Sequence, residues 1–415
     1  MPTSHLIRPF AGLRPTPGYA AEVAAPPYDV LSTDEARAQA QGKPWSFLHI
    51  SKPEIDLPAG TDPYSPQVYA RAAENMRRML QHGVLHRDPS PCYYAYRLAM
   101  QGHEQTGLVA AGSVAAYDGH RIRRHELTRP DKEDDRVRQI EALDAQTGPV
   151  LLAYPSAPDV DALLSEVCGA APEFDLTASG GVRHLLWTIS GEDRIARLTA
   201  AFDAMPALYI ADGHHRSAAA SRVAAARRVA AAKASAEASY ESFLCVAFPH
   251  HQMRILPYNR AVRDLNGLDR EQFLRRLGER FKVTTSPGRV SPERPGVFGL
   301  YLPGQWYRLE IDPARIAQGE PTARLDVSLL ADQLLAPLLG IGDPRTDPRI
   351  DFVGGIRGTE ELERRVAGGM AAAFSLHPTR MQDLMAVADA GRIMPPKSTW
   401  FEPKLADGLV SLVLD

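Results

Sequence analysis

The chain has 415 residues, 44% of them hydrophobic and 23% charged, so it is long enough for two or three domains with a substantial core. Its net charge of −3 argues against a surface built mainly for nucleic acid or for an anionic membrane. Three widely spaced cysteines exclude a disulfide framework, and the lack of any run of about 18 apolar residues excludes a membrane-spanning helix. With no signal-peptide core at the N-terminus, these features favour a cytoplasmic protein.

The first part of the chain is rich in proline. "AAPPYDVLS" (24–32) predicts a stiff extended loop, because proline fixes φ and removes an N–H donor. "WSFLHIS" (45–51) predicts a strand, and the apolar spacing over 67–85 predicts a helix that ends near Gly83. Two strand-like segments around "QGHEQ" (101–105) predict a β-hairpin.

The middle of the chain alternates strands with helices. Residues 121–143, "RIRRHELTRPDKEDDRVRQIEAL", form the densest charge cluster and resume helical spacing in their second half. Ser190 and Asp193 resemble a capping box that opens a helix. "YIADGHHRSAAA" (209–220) runs from an apolar strand into an alanine-rich helix predicted over 216–238.

The composition changes after about residue 262. Helical segments there flank a hairpin that turns at "PG" (303–304). Strands, hairpins and helices together predict an α/β (α+β) fold with mixed sheets. We expect a core at residues 1–262 that contains the candidate sites and an additional α+β region at residues 263–415 packed on that core.

The strand–helix turn within "YIADGHHRSAAA" is the first candidate site. A helix N-terminus has unpaired N–H groups and a partial positive charge, so it favours a phosphate. Gly213 lets the backbone approach, and His214, His215 and Arg216 add donors, Arg216 through a fork of two hydrogen bonds. Asp212 is a candidate N-cap, Mg²⁺ ligand or general base. The alternative is an ordinary capped helix with two surface histidines.

Other chemistry is disfavoured. Adjacent histidines do not share a helix face and no HExxH motif follows, which argues against zinc. We interpret the pair His250 and His251 as structural or solvated. The chain has no Walker A motif, no Rossmann fingerprint and no G-x-S-x-G elbow. The common ATPase, dehydrogenase and serine-hydrolase classes are therefore disfavoured.

The charge cluster is the second candidate site. Phosphoryl transfer needs a nucleophile in position, cations over the phosphates and usually Mg²⁺. Glu126 is the candidate base for a substrate hydroxyl, and Asp134 or Asp135 is a candidate metal ligand. The cations that could neutralise phosphate are Lys132, Arg136 and Arg124. The alternative for these residues is a solvated charged loop.

"APPYDV" (25–30) could frame a substrate pocket. Tyr28 offers a hydroxyl, Asp29 can bind an amino group, and Arg124 is a further candidate contact to substrate. A rigid structural turn is the alternative.

The "DGHHR" turn resembles the phosphate-binding signature of the ParB/sulfiredoxin-like superfamily, which includes free-serine kinases. Sulfiredoxins have a catalytic cysteine in the matching turn, where this chain has histidine. Over nearly its whole length the chain resembles the family catalogued as DUF1015, through the blocks "IRPFAGLR", "APPYDVLS", "RRHELTRPDKEDDR", "GPVLLAYP", "LYIADGHHRSAAA", "ILPYNRAV" and "MPPKSTWFEPKL". The resemblance implies a ParB/sulfiredoxin-like nucleotide-binding core and a small-molecule kinase. A glutamate acts as base in the serine-kinase relatives, and Glu126 is our candidate for it.

The sequence thus predicts a kinase that transfers a phosphoryl group from ATP or ADP, with Mg²⁺, to the hydroxyl of a free amino acid, with L-serine as the leading acceptor and O-phosphoserine as its product. Its expected partners are a nucleotide and a small amino acid, without nucleic acid or membrane. Its catalytic candidates are Glu126, Asp212 and His214. One alternative is a phosphatase or nucleotide hydrolase at the same phosphate site. Another is a nucleotide-gated, ParB-like binding protein.

Overall fold

The computed structural model describes residues 5–178, 180–231, 235, 237–317 and 319–415. The chain forms two compact units, one comprising Met1–Met253 with Pro403–Asp415 and the other Arg254–Glu402. The boundary expected after residue 262 lies at the end of a strand of the second unit, Tyr258–Val262, which pairs with Ile350–Gly354. Because this strand pairs within the second unit, the boundary between the units lies after Met253 and not after residue 262. Residues 403–415, called the C-terminal segment below, belong to the first unit.

The first unit is built on a mixed sheet of nine strands within the described residues. Eight of the strands follow one another in the order Ile122–Arg123, Leu208–Asp212, Val150–Tyr154, Ser242–Pro249, His103–Ser113, Tyr93–Met100, Arg183–Ile189 and Phe174–Thr177, and Ile7–Arg8 pairs with His103–Ser113. Leu208–Asp212 is parallel to Ile122–Arg123, and Ser242–Pro249 is parallel to Val150–Tyr154. The other pairs are antiparallel. The expectation of an α/β (α+β) fold with mixed sheets is confirmed.

Helices cover this sheet. The α-helices of the first unit are Ala20–Val23, Thr33–Ala40, Leu48–Ser51, Pro66–Gln81, Val114–Asp118, Pro130–Leu143, Pro158–Val167, Glu192–Asp203 and His214–Ala230. Short 3₁₀ turns occur at Tyr28–Val30, Pro53–Asp56, Ser239–Glu241 and His250–Gln252. Fully buried aromatic side chains of the sheet and of Glu192–Asp203 form the centre of the core, among them Tyr93, Tyr154, Phe202 and Phe243.

The C-terminal segment runs beside the N-terminal part of the chain. Leu412–Val413 pairs with Ala145–Gln146, and the backbones of Asp407 and Ala25 exchange two hydrogen bonds. A further short sheet joins Leu13–Pro15 to Leu85–Arg87. These contacts hold the C-terminal segment against the loop that carries Tyr28.

Three local predictions need correction. "WSFLHIS" is not a strand: it contains the helix Leu48–Ser51, because a run of seven residues is too short for its periodicity to separate helix from strand. Ser190 forms no capping box, since Gly191 is the N-cap of Glu192–Asp203 and no side chain caps it. The alanine-rich helix ends at Ala230 rather than near residue 238, and residues 232–234 and 236 of the predicted extension lie outside the described residues.

The second unit has an antiparallel six-stranded sheet. Its order is Phe281–Ser286, Gln305–Ile311, Val297–Leu302, Ala372–Leu376, Tyr258–Val262 and Ile350–Gly354, and Arg254–Leu256 pairs separately with Trp400–Glu402. The predicted hairpin at 303–304 is confirmed. Its α-helices are Arg270–Gly278, Asp326–Leu330, Ala336–Leu339, Glu360–Ala367 and Met381–Asp389, with a π-helical stretch at Ala331–Leu335. Among the described residues, no helix in either unit combines the length and apolar composition that a membrane crossing requires.

Candidate functional site

The turn Asp212–Arg216, called the site turn below, joins the strand Leu208–Asp212 to the site helix, His214–Ala230. Gly213 is the N-cap residue of this helix and has a φ of 99°, in the left-handed region that favours glycine. A Cβ on Gly213 would lie 3.3 Å from the Cα of Val150 on the neighbouring strand. Glycine is therefore required here both for backbone conformation and for close packing.

Replacing Gly213 with alanine is expected to lower the free energy of unfolding by about 1–3 kcal/mol, because alanine is strained at this φ. Gly191→Ala is the matched control, since Gly191 is also a helix N-cap but has a φ of −73° and open space around a Cβ. Urea denaturation of both variants measures the difference. Equal losses would contradict the special requirement at Gly213.

Asp212 does not cap the site helix, which has no side-chain N-cap hydrogen bond. Its Oδ2 accepts a hydrogen bond from Lys404 Nζ of the C-terminal segment at 3.0 Å, and 35% of its side chain is exposed. Burial alone would raise the pKa of Asp212, but the charges of Lys404 and Arg216 outweigh it and hold the pKa well below its usual value. Asp212 is therefore an ionised carboxylate that solvent can reach.

His214 is buried and forms a pair with His125. The two rings meet edge to face with centroids 4.5 Å apart, and the backbone N–H of His125 donates to His214 Nε2 at 3.4 Å. Burial lowers the pKa of both histidines, that of His125 to about 4, so both rings are neutral at pH 7. His214 Nδ1 is then the protonated nitrogen, and it lies 3.7 Å from Glu126 Oε2, whose side chain is 58% exposed. The predicted catalytic pair is thus brought together, with His214 as a neutral group.

His215 faces the second cluster. Its Nε2 accepts a hydrogen bond at 3.0 Å from the N–H of Arg129, the N-cap residue of the helix Pro130–Leu143, called the charged helix below. Because this nitrogen accepts, it cannot also donate to a phosphate. The contact instead joins the site turn to the charged helix.

Both terminal nitrogens of the Arg216 guanidinium donate hydrogen bonds to protein groups. NH1 donates to the carbonyl of Pro149, and NH2 donates to Asp29 Oδ2 at 2.9 Å. The fork of two hydrogen bonds expected for phosphate is therefore occupied by protein groups. Within the described part of the chain, the buried Nε–H has no partner.

Tyr28 lies between two guanidinium groups. The Arg136 guanidinium carbon is 3.9 Å from the centroid of the Tyr28 ring, and that of Arg216 is 5.7 Å from it. Arg136 also donates to Asp135 Oδ2, and Asp135 Oδ1 accepts a hydrogen bond from Tyr69. The predicted residues Tyr28, Arg136 and Arg216 thus form one cluster, and Asp135 orients Arg136.

A small cavity, partly open to solvent, lies beside this cluster and is called the polar cavity below. Its polar lining includes Tyr28, Ser51, Arg136, Gln146, Arg216 and Asp407. Asp407 is 2% exposed, and burial raises its pKa to about 7, although Arg216 and Arg136 act to lower it. In the described residues, Ser51 Oγ, Arg216 Nε and Asp407 Oδ2 are buried without a hydrogen-bond partner.

Three predicted residues are engaged elsewhere. Lys132 donates to the Tyr64 hydroxyl at 2.6 Å, and the Arg124 guanidinium lies over the ring of Tyr117. Asp134 pairs with Arg222 at 2.7 Å on the surface of the site helix. Burial is the main cause of the lowered pKa values of His214 and His215, but Arg124 and Lys132 nevertheless lie close enough to the site turn for their charges to lower these pKa values further.

A magnesium ion bound with nucleotide phosphates takes only one or two carboxylates. Asp212 fits this requirement, because it is ionised and partly exposed. Asp134 is the less suitable candidate, since it pairs with Arg222 and not with a residue of the site turn. No group of three or more His, Cys, Asp or Glu side chains in the described ranges is arranged to hold a metal ion.

Sequence reasoning missed Lys404 and Asp407. Lys404 belongs to the block "MPPKSTWFEPKL", and Asp407 follows it by a few positions. The signal in the sequence was that this tail contains several charged and hydroxyl-bearing residues although it has no helix or strand periodicity. Neither residue is near the site turn in sequence, so only the chain path brings them there.

The family model described as "Protein of unknown function (DUF1015)" matches residues 7–328, and the chain belongs to this family. A solved free serine kinase in complex with AMP is 14% identical with a TM-score of 0.34, over 71% of this chain and 86% of that chain. SbnI with a C-terminal truncation, from Staphylococcus aureus, is 12% identical with a TM-score of 0.37, over 72% and 84%. A conserved hypothetical protein from Pyrococcus furiosus is 12% identical with a TM-score of 0.33, over 72% and 93%. No curated protein matches the chain.

Proposed function

We propose that this DUF1015 chain is a phosphotransferase that moves a phosphoryl group from ATP or ADP to the hydroxyl of a small amino acid, with L-serine as the first acceptor to test. The observation that carries the proposal is the site turn itself. This turn begins a 17-residue helix, and its N-cap residue is a glycine in the left-handed region. The ionised pair Asp212–Lys404 lies directly beside that helix start. The polar cavity lies beside it and shares Arg216 with it.

The donor phosphates would lie at the start of the site helix. The unpaired N–H groups of a first helical turn favour an anion, and Gly213 allows close approach. Lys404 Nζ adds a positive charge beside this turn. Arg216 adds its positive charge near this turn, while Asp29 and Pro149 keep the guanidinium in one orientation. The site thus offers positioned N–H donors and two cations held in place by carboxylates, which is the kind of fixed polar environment that phosphoryl transfer uses.

Glu126 would accept the proton of the acceptor hydroxyl. It is an exposed carboxylate held beside His214, the first residue of the site helix, so it faces the place where phosphate would bind. Asp212 is the poorer base, because its lowered pKa makes it a weak proton acceptor. Its ionised state instead suits a Mg²⁺ ligand, and Mg²⁺ would neutralise charge on the phosphates.

Phosphorus NMR tests the reaction directly. The purified protein is incubated with ATP or ADP, Mg²⁺ and L-serine, and new resonances identify donor and product together. O-phosphoserine that forms with Mg²⁺ and disappears in excess chelator supports the proposal. Inorganic phosphate formed at the same rate without an amino acid would identify a hydrolase instead. No nucleotide turnover with any amino acid would contradict both enzymes.

Replacing Arg216 with alanine is expected to weaken nucleotide binding by about tenfold, or about 1.4 kcal/mol, because the positive charge beside the phosphates is lost. Isothermal titration calorimetry measures the nucleotide Kd. Arg228→Ala is the control, since Arg228 lies on the same helix and pairs with Glu241 away from the turn. Circular dichroism confirms that both variants fold. Equal nucleotide affinity in the two folded variants would remove Arg216 from the donor site.

A further inference from the structure

The polar cavity has walls of opposite charge with unsatisfied hydrogen-bonding groups. Among the described residues, Arg216 Nε and Asp407 Oδ2 are buried and have no partner in the protein, and Ser51 Oγ shares this property. Buried polar groups are nearly always hydrogen-bonded, to protein or to something else. The three atoms therefore define a binding site for a polar molecule.

The chemistry of these atoms specifies the molecule. The Nε–H of Arg216 can only donate, so its partner must be an acceptor, best an anion. An ionised Asp407 can only accept, so its partner must be a donor, best a cation or a hydroxyl. A ligand that satisfies both carries an anionic and a cationic group close together.

Gly148 shows how near the two groups are. A single carbon placed as its Cβ would lie 3.8 Å from Arg216 Nε and 3.7 Å from Asp407 Oδ1. One small molecule lying against Gly148 can therefore reach both walls. The apolar side chains of Ile140 and Ala145 also line the cavity, which leaves room for a short aliphatic part.

We propose that the polar cavity is the acceptor pocket and binds a small α-amino acid as a zwitterion, with its carboxylate on Arg216 Nε and its ammonium on Asp407 Oδ2. This inference rests on the proposed function, because it identifies the acceptor site of that reaction. Asp407 thereby becomes a substrate-binding residue, and Glu126 keeps the role of base.

The charge state of Asp407 adds a pH dependence. Burial raises its pKa to about 7, Asp29 acts in the same direction, and Arg216 and Arg136 oppose it. The N–H of Tyr28 also donates to this carboxyl group and favours its ionised form. Because only the ionised carboxylate attracts an ammonium, amino-acid affinity should increase as the pH rises from 6 to 8.

Binding can be tested without phosphoryl transfer. Isothermal titration calorimetry on the full chain compares L-serine and L-alanine with glycerate, which lacks the ammonium, and ethanolamine, which lacks the carboxylate. We expect both amino acids to bind, and both analogues to bind at least tenfold more weakly because each loses one charged contact. Equal binding of glycerate and L-serine would overturn the role of Asp407.

Two variants locate the pocket. Asp407→Asn removes the charge, and Gly148→Ala fills the space between the walls without changing any charge; each should raise the L-serine Kd at least tenfold. Asp326→Asn is the matched control, because Asp326 is also buried with its pKa raised to about 7 and an unpartnered Oδ2 but belongs to the second unit. An L-serine Kd that is the same in all three variants would show that the cavity holds only water.

The two proposals can fail separately. Amino-acid binding that depends on Asp407 and Gly148, without any phosphoryl transfer, supports the pocket and contradicts the kinase. Phosphoryl transfer to serine with an unchanged serine KM in Asp407→Asn supports the kinase and overturns the pocket.

Discussion

Replacing Glu126 with glutamine is expected to lower kcat by about 10²–10⁴-fold and to leave the nucleotide Kd nearly unchanged. Glutamine keeps the shape of the side chain but cannot accept the proton of the acceptor hydroxyl. Glu126 is exposed and lies beside His214 rather than in the core, so the variant should fold normally. Steady-state kinetics and nucleotide titration measure the two effects.

The exposed Glu141 on the charged helix supplies the control for this substitution. Glu141→Gln should have normal kcat. A near-normal kcat for Glu126→Gln would contradict the assignment of the base. Asp212 would then be the remaining acid at the site turn, and its lowered pKa would require a mechanism in which Mg²⁺ or the phosphate carries most of the catalytic effect.

Replacing Asp407 with asparagine is expected to change the free energy of unfolding in a pH-dependent way. The difference between the variant and the wild type should shift in favour of the variant by about 2–4 kcal/mol between pH 4 and pH 8. Burial raises the pKa of Asp407 to about 7, whereas an aspartate in an unfolded chain titrates near 3.9. Between these values the folded state binds more protons than the unfolded state, so the contribution of Asp407 to stability falls as the pH rises from about 4 to about 7. Asparagine has no charge to bury and escapes this loss.

Differential scanning calorimetry at several pH values measures the effect. The difference in Tm between Asp407→Asn and the wild type should grow by several degrees between pH 4 and pH 8. Asp88→Asn provides the contrast, because Asp88 is buried but accepts hydrogen bonds from Arg14 and Tyr94, and its loss should destabilise the protein. A pH-independent difference for Asp407→Asn would contradict a buried, protonated carboxyl group.

Much of the local structure followed from the sequence. The hairpin around "QGHEQ" was predicted from the strand-like segments that flank it, and its turn residues Gln101 and Gly102 both have positive φ. The helix Pro66–Gln81 and the charged helix were predicted from apolar spacing. Such features depend on residues a few positions apart, so short-range rules are sufficient. Where a segment is only a few residues long, as at Leu48–Ser51, those rules fail because too few positions are present to show a period.

The candidate site also has a part that the sequence predicted and a part that depends on the tertiary structure. The sequence by itself determined the site turn, because an apolar strand, a glycine and an alanine-rich helix follow one another directly, and the blocks along the chain indicated the DUF1015 family that the family model confirms. Only the tertiary structure decided what each side chain contacts. Arg216 pairs with Asp29, His215 accepts a hydrogen bond from the backbone N–H of Arg129, and the C-terminal segment supplies Lys404 and Asp407. These partners lie far apart in the chain, so their meeting depends on the order of strands in the sheet and on the path of the tail, which residue spacing does not encode.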